Sequence, residues 1–362
     1  MADISDAVDP IATAIYAQYE KRNATEQPRT YLGGSAIGME CSRALWYTFR
    51  FAGREQFDGR MLRLFQTGHL AEPRFVEDLR SIGCEVWECD PATGRQFSYK
   101  DVGGHMAGNL DAVALYVPLG GELPHLVEMK THSSKSFKEL KAKGVRIAKP
   151  QHYAQMMVYC GWAKLPRALY LACNKDTDEL YTERLEFDQV EFDKLIAKAE
   201  SIIFAPEPPA KLSNDPKFYL CNWCSHNAVC HGNQVPAVSC RTCVHATPER
   251  EGDARWSCAK VSPDLNISSI PIEVQRTGCD SHLPLPFLLT YAEPIDAGDG
   301  WILFQRKDNN AQFYVTDSSP PSPPTNTPVY TSKEISAAKD HRSICDPGVE
   351  ELKTMFSGTI VG

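Results

Sequence analysis

An aspartate and a Glu-x-Lys pair are the residues best placed to do chemistry in this chain. Asp111 ends the run Gly108-Asn109-Leu110-Asp111 within a strand-like stretch, and Glu128-Met129-Lys130 follows the apolar pair Leu126-Val127. Side chains alternate between the two faces of a strand, so Glu128 and Lys130 share a face from which Met129 turns away. Asp111 on a neighbouring strand can join them. Two carboxylates beside an ammonium make a hard-cation site next to a fixed positive charge, which suits Mg2+ or Mn2+ and a phosphodiester. An unpaired ammonium is costly to bury after an apolar run, so Lys130 needs a partner.

Cysteines form the second chemical set. The chain has 13. No run reaches the roughly 18 apolar residues of a membrane span, and the N-terminal residues lack the basic and apolar regions of a signal peptide. A cytoplasmic protein without membrane contact is therefore expected, whose reduced thiols are metal ligands or buried small side chains. Cys221-x2-Cys224-x5-Cys230 places three thiols close together, and a tetrahedral centre needs a fourth ligand; His226 or His231 would complete a zinc knuckle locally. Cys240-x2-Cys243-x14-Cys258-x20-Cys279 fits a structural zinc site, with His245 and His282 able to replace a cysteine. Cys84, Cys89, Cys160, Cys173 and Cys345 are expected to be free.

The elements that position these groups follow from periodicity. Residues 60–83 have helical spacing and stop at Gly83; strand-like runs at 84–90, 95–100, 105–117 and 125–132 read as a meander. A basic stretch leads to Lys149-Pro150 and a helix over 151–162, then two strands, 166–175 and 179–187, and an amphipathic helix over 192–205. This order predicts an α/β fold, a mixed sheet flanked by helices. Proline-rich breaks at 205–216 and 317–328 divide the chain. The divisions are an N-terminal helical segment, 1–59, carrying Cys41; a core, 60–210; a cysteine segment, 211–235; a zinc-binding module, 236–316; and a linker and tail, 317–362.

The net charge of −8 opposes a polyanionic partner overall, but Lys135, Lys138, Lys141, Lys143, Arg146 and Lys149 form a basic strip directly after the acidic motif. A solvated helix face is the plainer reading of it. No G-x4-G-K-[ST] phosphate loop is present.

Taken in order, these motifs resemble the PD-(D/E)XK nucleases, and within them the RecB-like branch with its CRISPR-associated and phage exonucleases, over about residues 35–232. Gly68-His69-Leu70-Ala71-Glu72 is similar to that branch's first motif, Asp111 to the second-motif acid, Glu128 and Lys130 to the E-x-K, and Gln155 with Tyr159 to the Q-x-x-x-Y helix. The resemblance implies a restriction-endonuclease-like sheet with a cysteine-rich C-terminal appendage. It implies a DNA exonuclease using Mg2+ or Mn2+ held by His69, Asp111, Glu128 and the Met129 carbonyl. Because an unperturbed lysine has a pKa of about 10.4, Lys130 would act by electrostatics rather than as a base, and Gln155 would orient the same groups. Gln151 competes for the Gln155 role, Glu72 is also a plain i,i+3 partner for His69, and Tyr159 is also a packing residue. Glu40-Cys41-Ser42-Arg43-Ala44-Leu45-Trp46-Tyr47 resembles the branch's segment that supplies the fourth ligand of an iron–sulfur cluster. That implies a structural [4Fe–4S] centre on Cys41, Cys221, Cys224 and Cys230, with zinc as the alternative. The implied setting is phage or prophage recombination or repair, acting on single- or double-stranded DNA ends with a recombination protein as partner. A structure-specific endonuclease and a non-catalytic, metal-stabilised DNA-binding protein are the rival readings.

Overall fold

The computed structural model describes residues 9–53, 57–261, 269–317, 327–338 and 340–360, so most of the second proline-rich break (318–326) lies outside the described residues. Its first half comprises α1 (Pro10–Thr25), β1 (Leu32–Gly33), α2 (Ser42–Phe49), α3 (Gly59–Ser81), β2 (Glu85–Trp87), β3 (Ser98–Asp101), β4 (Met106–Asn109), β5 (Ala112–Leu115), β6 (His125–His132), α4 (Ser134–Ala148) and α5 (Pro150–Ala163). Then follow β7 (Arg167–Asn174), β8 (Leu180–Glu186), α6 (Gln189–Ile203), α7 (Tyr219–Asn222), α8 (Asn227–Cys230), β9 (Ala246–Pro248), β10 (Trp256–Cys258) and α9 (Ile272–Thr277). The chain ends with β11 (Ala292–Gly298), β12 (Trp301–Arg306), β13 (Gln312–Thr316), β14 (Val329–Thr331), α10 (Ser332–Ala337) and α11 (Pro347–Phe356).

The central sheet has the order β2-β5-β6-β7-β8. Its one parallel pair, β6 with β7, needs a crossover, which α4 and α5 supply; the other pairs are antiparallel. Helices cover both faces of strand β6, one face apolar and the other carrying Glu128, Lys130 and His132 beside Leu126. Val127 and Met129 pack with Phe75, Val76 and Leu79 of α3. Leu126 faces the other way, into the core built by α2, α5 and α6. The expected α/β class, a mixed sheet flanked by helices, is what the chain forms.

The strand-like run 105–117 is not one strand, and the expected single meander is corrected. Residues 106–109 pair with β3 and with β1, forming a separate sheet, and 112–115 pair with β2 and β6. The Leu110 N–H still bonds to Phe97 O (3.1 Å) before the chain changes sheets. Asp111 therefore sits at the crossing point between two sheets.

Three expected boundaries also change. The 1–59 segment is not only helical, since Leu32 and Gly33 pair with β4, and α2 is part of the core, with Leu45, Trp46 and Tyr47 almost fully buried. The 236–316 module is divided: Cys240, Cys243, Ala246, Trp256 and Ile270 pack in the core with α2, whereas β11–β14 form their own four-stranded sheet. Nor do residues 317–362 form a detached tail. Strand β14 pairs in parallel with β13, and Tyr330, Ile335 and Ile344 share a core with Phe304 and Phe313. Burying those side chains outweighs the chain-breaking effect of the prolines that precede them.

Candidate active site and cysteine centres

Glu128 is completely buried at the middle of β6, and its carboxylate pairs with the Lys130 ammonium two residues along the same face. The amide of Gln155, on α5 above that face, donates to Glu128 Oε2 at 2.9 Å. Asp111 reaches the same strand from the sheet crossing: its Oδ2 accepts the Met129 N–H at 3.2 Å. Burial raises the Glu128 carboxyl above its ordinary range, with Lys130 opposing and Asp111 adding to the shift. For Lys130, burial acts to lower the pKa, but Glu128 and Asp111 outweigh it and the ammonium is held charged. The arrangement is thus a buried carboxylate, a second carboxylate within electrostatic reach, a locked cation and an amide donor.

The other residues expected here are placed less uniformly. Gln151 donates to Ser35 O (3.0 Å), so Gln155 is the glutamine at Glu128. His69 lies on the exposed part of α3, three-quarters accessible, and its Nδ1 pairs with Glu72 Oε1 at 3.1 Å. Glu72 is close enough to Glu128 and Lys130 to influence both electrostatically. Tyr159 is buried, stacked on Trp162 (centroids 5.6 Å apart), and fills the space beside Gly34 and Gly108, where a Cβ would stand 2.7 and 2.5 Å from its ring and hydroxyl.

Sequence reasoning overlooked His132, which continues the Glu128–Lys130 alternation by one more step. Its Nε2 and the Nδ1 of His152 both lie 2.8 Å from the Tyr170 hydroxyl, with rings stacked. Burial, with Lys149 and Lys130 assisting, lowers His132 to about 4; burial and Lys130 lower His152 to about 3. The signal was available in the period-two spacing of Glu128, Lys130 and His132.

The basic strip lies on α4, which is broken at Gly144 (φ 72°) rather than continuous. Lys141 is paired with Glu179 (2.5 Å), Lys143 with Glu139 (2.9 Å), and Lys149 donates to Ser136 Oγ (2.7 Å). Arg146 lies over the Tyr153 ring, 5.0 Å from its centroid, and Lys135 and Lys138 are exposed.

Cys41, the residue preceding α2, lines one cavity with Cys221, Cys224 and Cys230, joined by Tyr47, His226 and His231. His226 has another role, because its Nε2 bonds the Thr48 hydroxyl (2.9 Å) on α2. Helix α2 is pinned against the proline-rich break: Arg43 donates to Pro209 O (2.8 Å) and Trp46 to Ala205 O (3.0 Å). Four thiols without a carboxylate are a soft donor set, the chemistry of zinc or an iron–sulfur cluster. A second cavity is lined by Cys240, Cys243, Cys258 and Cys279 with His245 and His282. Among the described residues, no three His, Cys, Asp or Glu side chains stand in ready-made metal-holding geometry. What the structure supplies at both cysteine centres is enclosure of a cavity by suitable donors. Cys84, Cys89, Cys160, Cys173 and Cys345 lie apart from both cavities and form no disulfide.

No protein-family model matches the chain, and no curated protein does. Some solved structures are similar. One, described as SSO0001, is 14% identical with a TM-score of 0.37, covering 61% of this chain and 96% of the other. An alkaline exonuclease, LHK-Exo, from Laribacter hongkongensis is 12% identical with a TM-score of 0.33, covering 51% and 90%. LHK-Exo in complex with dAMP is 13% identical with a TM-score of 0.35, covering 52% and 89%. Likeness this slight carries no functional argument. No helix among the described residues is long and apolar enough to cross a membrane.

Proposed function

We propose that the chain is a metal-dependent nuclease that hydrolyses phosphodiester bonds at DNA ends, on the restriction-endonuclease-like variant of this mixed sheet. The observation that supports it best is the buried Glu128–Lys130 pair, bracketed by Asp111 and Gln155. A structural ion pair alone would not require a second carboxylate at the sheet crossing. Asp111, Glu128 and the Met129 carbonyl would hold a Mg2+ or Mn2+ ion, with His69 as a ligand from α3. When bound, the ion supplies Lewis acidity toward a phosphate oxygen and acidifies a coordinated water.

The chain's own groups do the rest. Asp111 is fixed through the Met129 N–H, so its free oxygen is directed by the backbone of the strand that carries Glu128. Gln155 holds one Glu128 oxygen and so sets the rotamer of the other. Lys130, kept charged by its neighbours, neutralises negative charge that builds on the phosphoryl oxygens as the bond to water forms. Lys135, Lys138 and Arg146 would guide the phosphate backbone, with Lys141, Lys143 and Lys149 more constrained by existing partners. Cys41, Cys221, Cys224 and Cys230 would carry a structural [4Fe–4S] cluster that joins α2 to the end of the core. Hydrolysis requires no redox step from it.

End-labelled linear DNA and closed circular DNA, each incubated with and without Mg2+ or Mn2+, test this reading. Loss of linear DNA only, and only with metal, is expected. Cutting of circles would move the assignment to a structure-specific endonuclease, and binding without cleavage to a DNA-binding scaffold.

A further inference from the structure

Arg241 lies inside the Cys240–Cys243 turn and is almost completely buried, at 1% exposure. Its guanidinium donates to Phe49 O (2.9 Å), Thr30 O (2.8 Å) and Gln275 Oε1 (3.0 and 3.1 Å). Phe49, Phe51 and Trp256 surround it, at 5.1, 4.2 and 4.8 Å from ring centroid to guanidinium carbon. All these acceptors are neutral. A buried cation served only by neutral oxygens is expensive unless negative charge stands near by.

Among the described residues, the four thiols around the second cavity can supply that charge when they bind a metal as thiolates. Cys240 and Cys243 flank Arg241, Cys258 arrives from β10, and Cys279 follows α9. Cys243 Sγ accepts the Leu283 N–H at 3.4 Å, which orients the sulfur at the edge of the cavity. Of the two imidazoles at the cavity, His282 uses Nε2 on the Thr242 hydroxyl (3.1 Å) and keeps a buried Nδ1 without a hydrogen-bond partner, and His245 Nε2 stands 3.8 Å from Asp317, beyond hydrogen-bond distance. Cys240 Sγ lies 3.3 Å from Val274 O, a thiol hydrogen bond that metal binding would exchange for a metal–sulfur bond. The segment after Cys279 also reaches the C-terminal sheet, where Ser332 Oγ donates to His282 O (2.7 Å) and Lys333 pairs with Asp280 (2.6 Å).

We propose that Cys240, Cys243, Cys258 and Cys279 bind one structural zinc ion whose site is a three-way joint, seating Arg241 in α2 and docking the C-terminal sheet. A divalent ion with four thiolates carries a net charge of about −2, which complements Arg241 across the turn that both share. The joint is separate from the nuclease chemistry, so it stands or falls independently of that reading.

The test uses the full-length protein purified anaerobically, and reads metal content and thiol reactivity. Cys89 and Cys279 are both exposed. Iodoacetamide should alkylate Cys89 rapidly and spare Cys279 until a strong chelator removes the ion. Zinc should fall by one per chain in Cys258→Ser and in Cys279→Ser, yet be unaffected by Cys41→Ser. Arg241→Gln should retain the zinc but release it to chelator several-fold faster. Alkylation of Cys279 as fast as Cys89 in the wild-type protein would overturn the proposal without relying on any variant to fold. So would wild-type zinc in both serine variants, or iron rather than zinc lost from them.

Discussion

Lys130 shows how burial changes the meaning of a residue that sequence alone reads as catalytic. From sequence, removing it should stop cleavage and leave the fold nearly intact. The structure adds a cost, because Glu128 is fully buried and the ammonium is its counter-charge. Removing one member of a buried pair costs about 3–5 kcal/mol, limited here by protonation of the stranded carboxyl. Lys130→Ala should therefore abolish cleavage and also lower the midpoint of urea unfolding at neutral pH. Glu128→Gln added to it should recover most of the stability and none of the activity; an additive stability loss in the double variant would contradict the pairing. A second expectation concerns histidines held neutral. Burial lowers His105, His132 to about 4 and His152 to about 3, all below the ordinary 6.5. A depressed folded-state pKa means the unfolded chain takes up the proton first. Stability is then full above about pH 6.5 and falls with acidification toward pH 4, by about 1.4 kcal/mol per pH unit for each such histidine. Thermal melts across that range should show the decline, and His105→Phe, in its aromatic surroundings of Phe49, Phe204 and Trp256, should make it shallower.

At the scale of elements, local patterns were legible where one period ran without interruption. The alternation in 125–132 gave β6 and the shared face of Glu128 and Lys130, and helical spacing gave α3, α5 and α6 within a few residues. The misreadings arose where neighbours in space decide. Nothing in Leu110-Asp111 signals a change of sheet, because the runs on both sides read as strand and the choice lies with β3 on one side and with β2 and β6 on the other. Within the basic stretch Gly144 breaks α4, where Glu183 accepts the following Val145 N–H (2.8 Å) and anchors the break. The break affects the basic strip, since Lys141 and Lys143 precede it with acidic partners while Lys135 and Lys138 face solvent. Replacing Lys135 and Lys138 with alanine should weaken DNA binding on every sequence and reduce the salt slope by roughly one unit for each phosphate no longer neutralised. Replacing Lys141 and Lys143 should change the slope less. Equal effects from the two pairs would show that the ion pairs to Glu179 and Glu139 open freely when DNA binds.

At the scale of the whole molecule, the first cysteine cavity is lined from both ends of the core, by Cys41 on one side and by Cys221, Cys224 and Cys230 on the other. Cys41 precedes α2, and the side chains of Arg43 and Trp46 on α2 and of Arg50 just past its end hold the carbonyls of Ala205, Pro208 and Pro209. The proline-rich break that reads as a loose linker is thus fastened along α2, and it delivers Cys221, Cys224 and Cys230 to the cavity that Cys41 lines. Linking Cys41 to that triple closes a loop of about 180 residues, for which the entropic restraint on the unfolded chain is large. Metal-binding free energy at such a site is also folding free energy. Anaerobically purified protein is expected to be brown, with about four irons per chain, as a thiolate-ligated cubane requires. Cys41→Ser should bleach it and lower the melting temperature of the core, while Trp46→Phe, which removes the hydrogen bond to Ala205 O and part of a buried indole but no thiol, should lower the melting temperature and keep the colour. Colourless wild-type protein holding zinc instead would rule out the cluster and leave the clamp. A Cys41→Ser protein as stable and as brown as the wild type would rule out both.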